Sequence, residues 1–216
     1  MTRPALARKL DAHCTALGAC RQCGHKDAGV VPILSPARAP EVMLVGQAPG
    51  QVETGEGERR AFAGRAGKTM FRWLDRIGVD EATFRSRVYI AAVTRCYPGP
   101  HPSGRGDRVP SRCEQEQCST WLEAELSIIR PQLVVPVGKL AIEKFLLPAP
   151  LDQLIGKVHD VVHAGGRSRV IPLPHPSGAS SWVHAPQNRA LLDRALELLG
   201  AELAQIWGTA ILHRSA

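Results

Sequence analysis

Glu41-Val-Met-Leu-Val-Gly-Gln-Ala-Pro-Gly-Gln-Val-Glu53 is the stretch from which the rest of the chain can be ordered. Residues 42 to 45 are a short continuous apolar run, the mark of a strand buried on both faces. Gly46, Pro49 and Gly50 end that run at once and keep side chains away, leaving backbone N–H groups open to a ligand. A strand followed by a glycine-rich turn is where open α/β sheets place their sites. Gln47 and Glu53 put polar groups in or just after the turn, and Phe62 follows shortly.

Working outward, residues 88 to 93 and 133 to 137 are two more apolar runs, and residues 158 to 162 and 170 to 173 read as strands joined near Gly165-Gly166. Helical periods lie between and around them. Leu6, Leu10, Cys14 and Leu17 form one stripe that ends at Gly18, and Met70, Phe71, Leu74 and Ile77 form another that ends at Gly78. Ser111 with Glu114 makes a capping-box pattern opening a helix that runs to Arg130. Gly138 opens a helix over 139 to 147, and another covers about 188 to 199, with 201 to 216 left as helix or tail. Residues 24 to 40 and 97 to 110 are rich in Gly and Pro and read as loops. Alternating strands and helices predict an α/β fold of three layers, α/β/α, around a mainly parallel sheet. The turns at 46 to 53 and 174 to 182 then open on the same sheet edge. A chain of 216 residues, 44% of them hydrophobic, is expected to be a single domain.

The formal charge of +7 favours an anionic partner, nucleic acid before acidic membrane. No apolar run reaches transmembrane length and the N-terminus lacks the apolar core of a secretion signal, so the expectation is a cytoplasmic protein without a membrane, and a monomer. Six cysteines in such a chain suggest metal ligation over a disulfide framework. Cys20 and Cys23 form the single C-x-x-C pair, and the loop leaving Cys96 can return Cys118 to it, with Cys113 as the rival fourth ligand. Four thiolates suit a structural zinc or a [4Fe–4S] cluster. Cys14 and Cys113 read as small buried hydrophobes. His175-Pro-Ser177 presents a histidine on a rigid turn at a strand end, able to donate to charge developing on a substrate. The same tripeptide at His101 has no strand before it and is the weaker candidate.

Gly46 to Glu53, Phe62-Ala-Gly-Arg-Ala-Gly67, Arg95-Cys96, the Arg108-Val-Pro to Cys118 stretch and His175-Pro-Ser177 together resemble the uracil-DNA glycosylase superfamily, and within it the iron–sulfur (family 4) branch. The resemblance covers roughly residues 18 to 199 in one order, with a cluster loop at about 96 to 118. It implies a four-stranded parallel sheet flanked by helices and a [4Fe–4S] cluster on Cys20, Cys23, Cys96 and Cys118. It implies that Phe62 stacks on an extruded base, with Gly46, Ala48 and Ala92 bordering that base. Gln47 and Glu53 would lie beside the sugar and the attacking water, and His175 would contact the base as its bond to the sugar breaks. The loop from Ser177 through Gly178, Ala179 and Ser180 would enter the DNA helix, and Lys68, Arg72, Arg105 and Arg108 are candidate phosphate contacts. Two positions depart from the family pattern: Ala92 stands where an Asn usually reads the base, and Gln47 where a Glu is common. The cluster loop is also longer than usual. The implied activity is hydrolysis of the N-glycosidic bond of a deaminated base in damaged DNA, uracil first. The alternatives are hypoxanthine or xanthine, a catalytically weak damage-binding protein, and an unrelated α/β protein with a zinc site.

Overall fold

The computed structural model describes residues 2–23, 31–37, 39–54, 59–104, 106–177 and 182–208. Its centre is β1 (Val42–Gly46), buried along its whole length. Parallel partners lie on both sides, β2 (Val88–Ala92) and β3 (Leu133–Pro136), in the registers Val42↔Val88 and Val42↔Leu133. Beyond β3 lies β5 (Gly166–Val170), also parallel, and the antiparallel edge strand β4 (His159–His163) completes the order β2-β1-β3-β5-β4. The parallel part therefore has the four strands that the resemblance implies, and β4 is a fifth. A hairpin around Gly165-Gly166 needs no crossover, which is why the added strand runs the other way. Pairing continues past β5, where Ile171 N–H donates to Val134 O (3.1 Å) and Leu173 N–H to Pro136 O (2.9 Å).

Alternate residues of β1 explain its unbroken apolar run. Val42 and Leu44 belong to a core with Phe71, Leu74, Phe84, Leu196 and Leu199, whereas Met43 and Val45 join Leu10, Tyr89, Leu122 and Leu126 on the other face. The first core is covered by α2 (Arg65–Asp75), α3 (Glu81–Arg87) and α7 (Pro186–Trp207). The second lies under α1 (Arg3–Gly18) and α4 (Arg112–Ile129). The expected α/β/α layering is the result.

Local chemistry sets several boundaries. Ser111 Oγ accepts the Glu114 N–H and Glu114 Oε2 accepts the Ser111 N–H (2.7 Å), the reciprocal cap expected for α4. Asp80 caps α3, a helix that the apolar pattern of its seven residues does not announce. The helix expected over 139 to 147 is shorter, α5 (Lys139–Ile142), and a further turn, α6 (Leu151–Leu154), occupies the Pro-rich link. α7 extends to Trp207, because Leu203 and Trp207 continue its buried stripe.

Candidate active site

Because β1, β2, β3 and β5 run parallel, the turns that follow them gather along one edge. There they border a cleft of about 1130 Å³ whose walls include Gly46, Gln47, Ala48, Glu53, Phe62, Ala92, His175 and Ser177. Every residue that the sequence assigned to chemistry or base contact thus reaches one cleft. The first turn is pinned to the end of β2: Val93 N–H donates to Gly46 O (2.9 Å) and Thr94 N–H to Gln47 O (3.2 Å). Ala92 stands beside Gly46 in the register of the two strands.

Glu53 is buried, and its carboxylate ties two loops together. Gly50 N–H donates to Oε2 at 2.7 Å and Ala63 N–H to Oε1 at 3.0 Å. Burial raises its pKa, and the backbone N–H groups around it oppose that rise. Both oxygens are therefore used by the scaffold on which Phe62 sits.

Phe62 has a left-handed backbone, φ 58°. Arg85 holds it from behind, donating to Ala61 O (2.8 Å) and Phe62 O (3.3 Å), while its own position is fixed by Glu81 (2.7 Å). A Cβ on Gly67 would lie 1.8 Å from Phe62 O, and one on Gly46 would lie 3.2 Å from Phe62 Cζ. Glycine at 67 lets the loop backbone sink against α2, and glycine at 46 lets the ring lie along the strand end.

His175 reaches the cleft through β5. Leu173 bridges to Val137, Gly138 N–H donates to Leu173 O (2.9 Å), and Val137 N–H donates to Val45 O (2.8 Å), so three strand ends lie side by side. A Cβ on Gly138 would come to 3.0 Å from His175 Cδ2, and its φ of 85° also favours glycine. Ser177 N–H donates to His175 Nδ1 (3.2 Å), and the Ser177 hydroxyl lies 2.8 Å from the same atom. Nδ1 must carry a lone pair, so the neutral ring carries its proton on Nε2. Burial lowers the His175 pKa and favours that neutral form.

The basic candidates divide. Lys68 and Arg72 line the cleft with Arg65, exposed at i, i+3 and i+7 on α2. Arg65 was not singled out from the sequence, although that spacing was there to be read. Arg108 also borders the cleft, but its guanidinium is bidentate to Glu114 (2.7 and 2.6 Å), so its charge is committed to the cap of α4. Arg105, Gly178, Ala179 and Ser180 lie outside the described residues.

Behind this cleft, Cys23, Cys96 and Cys118 line a small pocket with Thr94, Arg95, Pro98 and Glu114. Burial first, and then the neighbouring thiols, push Cys96 up to about 12; burial pushes Cys118 up to about 11 against the N–H and charge of Arg95, and Cys20 acts on both. Cys113, expected to be buried, is exposed, because it faces outward on the first turn of α4 while Cys118 faces inward. Cys14 is buried as expected. Among the described residues, no three His, Cys, Asp or Glu side chains stand at metal-binding geometry.

Arg95 is buried under this pocket, paired with Glu125, which also accepts from Tyr89 Oη (2.9 Å) and lies 3.2 Å from His13 Nε2. The Arg95 N–H donates to Cys118 Sγ at 3.3 Å. Glu125 gave no signal in the sequence, being one of several acidic residues on α4.

Residues 32–200 match the model of the uracil DNA glycosylase superfamily. A type-4 uracil-DNA glycosylase of Archaeoglobus fulgidus is 32% identical over 188 residues, 84% of this chain and 86% of that protein. One from Thermotoga maritima is 32% identical over 136 residues, 63% of this chain and 64% of its own length. A type-5 uracil-DNA glycosylase of Pyrobaculum aerophilum is 34% identical over 146 residues, 63% of this chain and 61% of that protein.

Proposed function

The chain belongs to the uracil DNA glycosylase superfamily, and from that premise we propose that it removes uracil from DNA by hydrolysing the N-glycosidic bond, as a step of base-excision repair. The observation that carries this reading is that the Phe62 ring and the imidazole of His175 share one cleft. A base inside a duplex is unreachable, and flipping it out costs a few kcal/mol. Stacking on Phe62 returns roughly 1–3 kcal/mol of that. As the bond breaks, electrons move onto the base, and the Nε2 proton of His175 donates to the developing anion. Gln47 and the N–H groups of the first turn border the sugar and the water that attacks it. The basic face of Arg65, Lys68 and Arg72 suits a phosphate backbone. Ser177 carries the start of the loop proposed to enter the helix.

Ala92 offers no side-chain hydrogen bond at the position where the family usually has Asn. That observation favours a second reading, in which another deaminated base is preferred. Labelled oligonucleotides carrying uracil, hypoxanthine or xanthine, treated with alkali after incubation, decide between the two. Cleavage of none of them, in single or double strands, rejects the enzyme reading in favour of a damage-binding protein.

Cys23, Cys96 and Cys118 line one pocket and Cys20 acts on the last two through its charge, a soft-sulfur donor set that supports assigning a [4Fe–4S] cluster to Cys20, Cys23, Cys96 and Cys118. Such a cluster would take the thiols as thiolates and cross-link the end of α1, the end of β2 and α4. Purified protein should contain iron and acid-labile sulfide, lost in Cys96→Ser and Cys118→Ser and kept in Cys113→Ser. Zinc in their place overturns the assignment.

A further inference from the structure

Resting on the glycosylase reading, we propose that Asp107 is the carboxylate that holds and deprotonates the attacking water, a role closed to the neutral amide of Gln47 and less open to Glu53, which is buried and tied to the loop backbone. Gln47 has a neutral amide, which can orient a water but cannot take its proton. Glu53 has a carboxylate, but each oxygen already accepts a backbone N–H. Asp107 comes from the unusually long segment after Cys96. That segment folds back as a hairpin: Pro100 pairs with Asp107, Arg108 N–H donates to Gly99 O (3.0 Å), and His101 N–H donates to Gly106 O (2.8 Å). The Arg108–Glu114 pair clamps the next residue to α4.

The hairpin sets Asp107 in the wall of the cleft that contains Gln47, Phe62 and His175, with its side chain exposed to solvent. Its Oδ2 lies 3.1 Å from where a Cβ on Gly50 would stand, directly over the first turn. The buried Tyr97 hydroxyl lies beside it on the hairpin side. On the glycosylase reading the first turn borders the sugar, and a carboxylate set against Gly50 stands at that turn.

The step balances without a further reactant. A water O–H proton passes to Asp107, and the water oxygen bonds to C1′ of the sugar. The C1′–N bond breaks with its electron pair on the base, held by the Nε2 proton of His175. The base anion then takes a proton from solvent, and Asp107 returns its own. The charge on Asp107 also faces the positive charge that builds on the sugar.

The test is single-turnover excision by the full chain, with DNA affinity measured by fluorescence anisotropy. Asp107→Asn keeps the shape and removes the base, and should lower the cleavage rate about 10²–10⁴-fold, the usual worth of a general base, with affinity changed only a few-fold. Gly50→Ala probes the same contact from the other side. Its new methyl crowds Oδ2 and should slow the unaltered chain, yet add nothing in the Asp107→Ala background, a non-additive cycle. Asp107→Asn cutting within tenfold of the unaltered protein, or an equal loss from Gly50→Ala in both backgrounds, overturns the assignment and leaves the glycosylase reading standing. An unaltered protein that cuts no base overturns both.

Discussion

Gly67→Ala is a one-carbon change that sets two effects against each other. Inside a helix, alanine is favoured over glycine by about 0.5–1 kcal/mol, and by propensity alone the variant should be more stable. The added Cβ, however, would lie 1.8 Å from Phe62 O and 2.5 Å from Phe62 C, distances at which backbone must move. The Phe62 loop has nowhere easy to go. Arg85 holds two of its carbonyls, and Glu53 holds the Ala63 N–H at 3.0 Å. Overpacking against a held backbone costs typically 1–3 kcal/mol, and losing one of those hydrogen bonds adds about 1. The net expectation is a destabilisation of about 1–3 kcal/mol, hence a melting temperature lower by roughly 2–12 °C for a chain of this size. Displacing Phe62 should also forfeit base stacking of about 1–3 kcal/mol, a loss of roughly 5–150-fold in excision. Thermal melting by circular dichroism and single-turnover cleavage measure the two. Gly200→Ala is the control, since its Cβ meets Ile77 at an ordinary 3.4 Å and the substitution should stabilise. A Gly67→Ala protein with unchanged melting and cleavage would refute the account of how Phe62 is held.

Burial keeps His175 and His163 below the ordinary imidazole pKa of about 6.5, so the unfolded chain binds more protons. Stability is therefore full above that value and falls as pH drops through it towards the folded values. Melting between pH 7 and 5 should show the loss, reduced in His175→Ala; an identical slope in the variant would deny the burial effect. Excision should fall over the same acid range, because protonating Nδ1 breaks its bond from Ser177 N–H. Replacing Arg65, Lys68 and Arg72 together by alanine should weaken DNA binding and flatten the plot of log affinity against log salt by roughly 2–3, and an unchanged slope would remove this face from the interface. Glu125→Gln leaves the buried Arg95 charge without its partner and should cost about 3–5 kcal/mol in denaturant unfolding. Ala92→Asn should raise uracil cleavage; no gain would mean that other groups read the base edge.

The three layers, the central strand, the α4 cap and the candidates at Gln47, Phe62 and His175 were legible because each is written in neighbouring residues. Alternation of Val42 and Leu44 against Met43 and Val45 needs no knowledge of the partners, only that both faces are covered. Less was legible where a role depends on distant segments. Glu53 looked like a carboxylate open to water until the fold brought Gly50 and Ala63 N–H groups to its oxygens. Arg108 looked like a phosphate contact until α4 set Glu114 against it. Asp107 and Glu125 drew no notice, since an acidic residue in a loop or on a helix carries no periodic signal.

The two His-Pro-Ser turns separate these causes most clearly. At both 101 and 175 the serine N–H donates to Nδ1 at 3.2 Å and the serine Oγ lies 2.8 Å from it, so the tripeptide alone dictates the turn and the tautomer. The interaction spans two residues and closes at both places where the tripeptide stands in this chain. What differs is the setting. His101 sits exposed on the hairpin after Cys96, whereas His175 packs against Gly138 and lines the cleft with Phe62. Sequence determined the local geometry of both histidines. Only the parallel order of β1, β3 and β5, fixed by burial of apolar strand faces far apart in the chain, decided which of them lines the cleft.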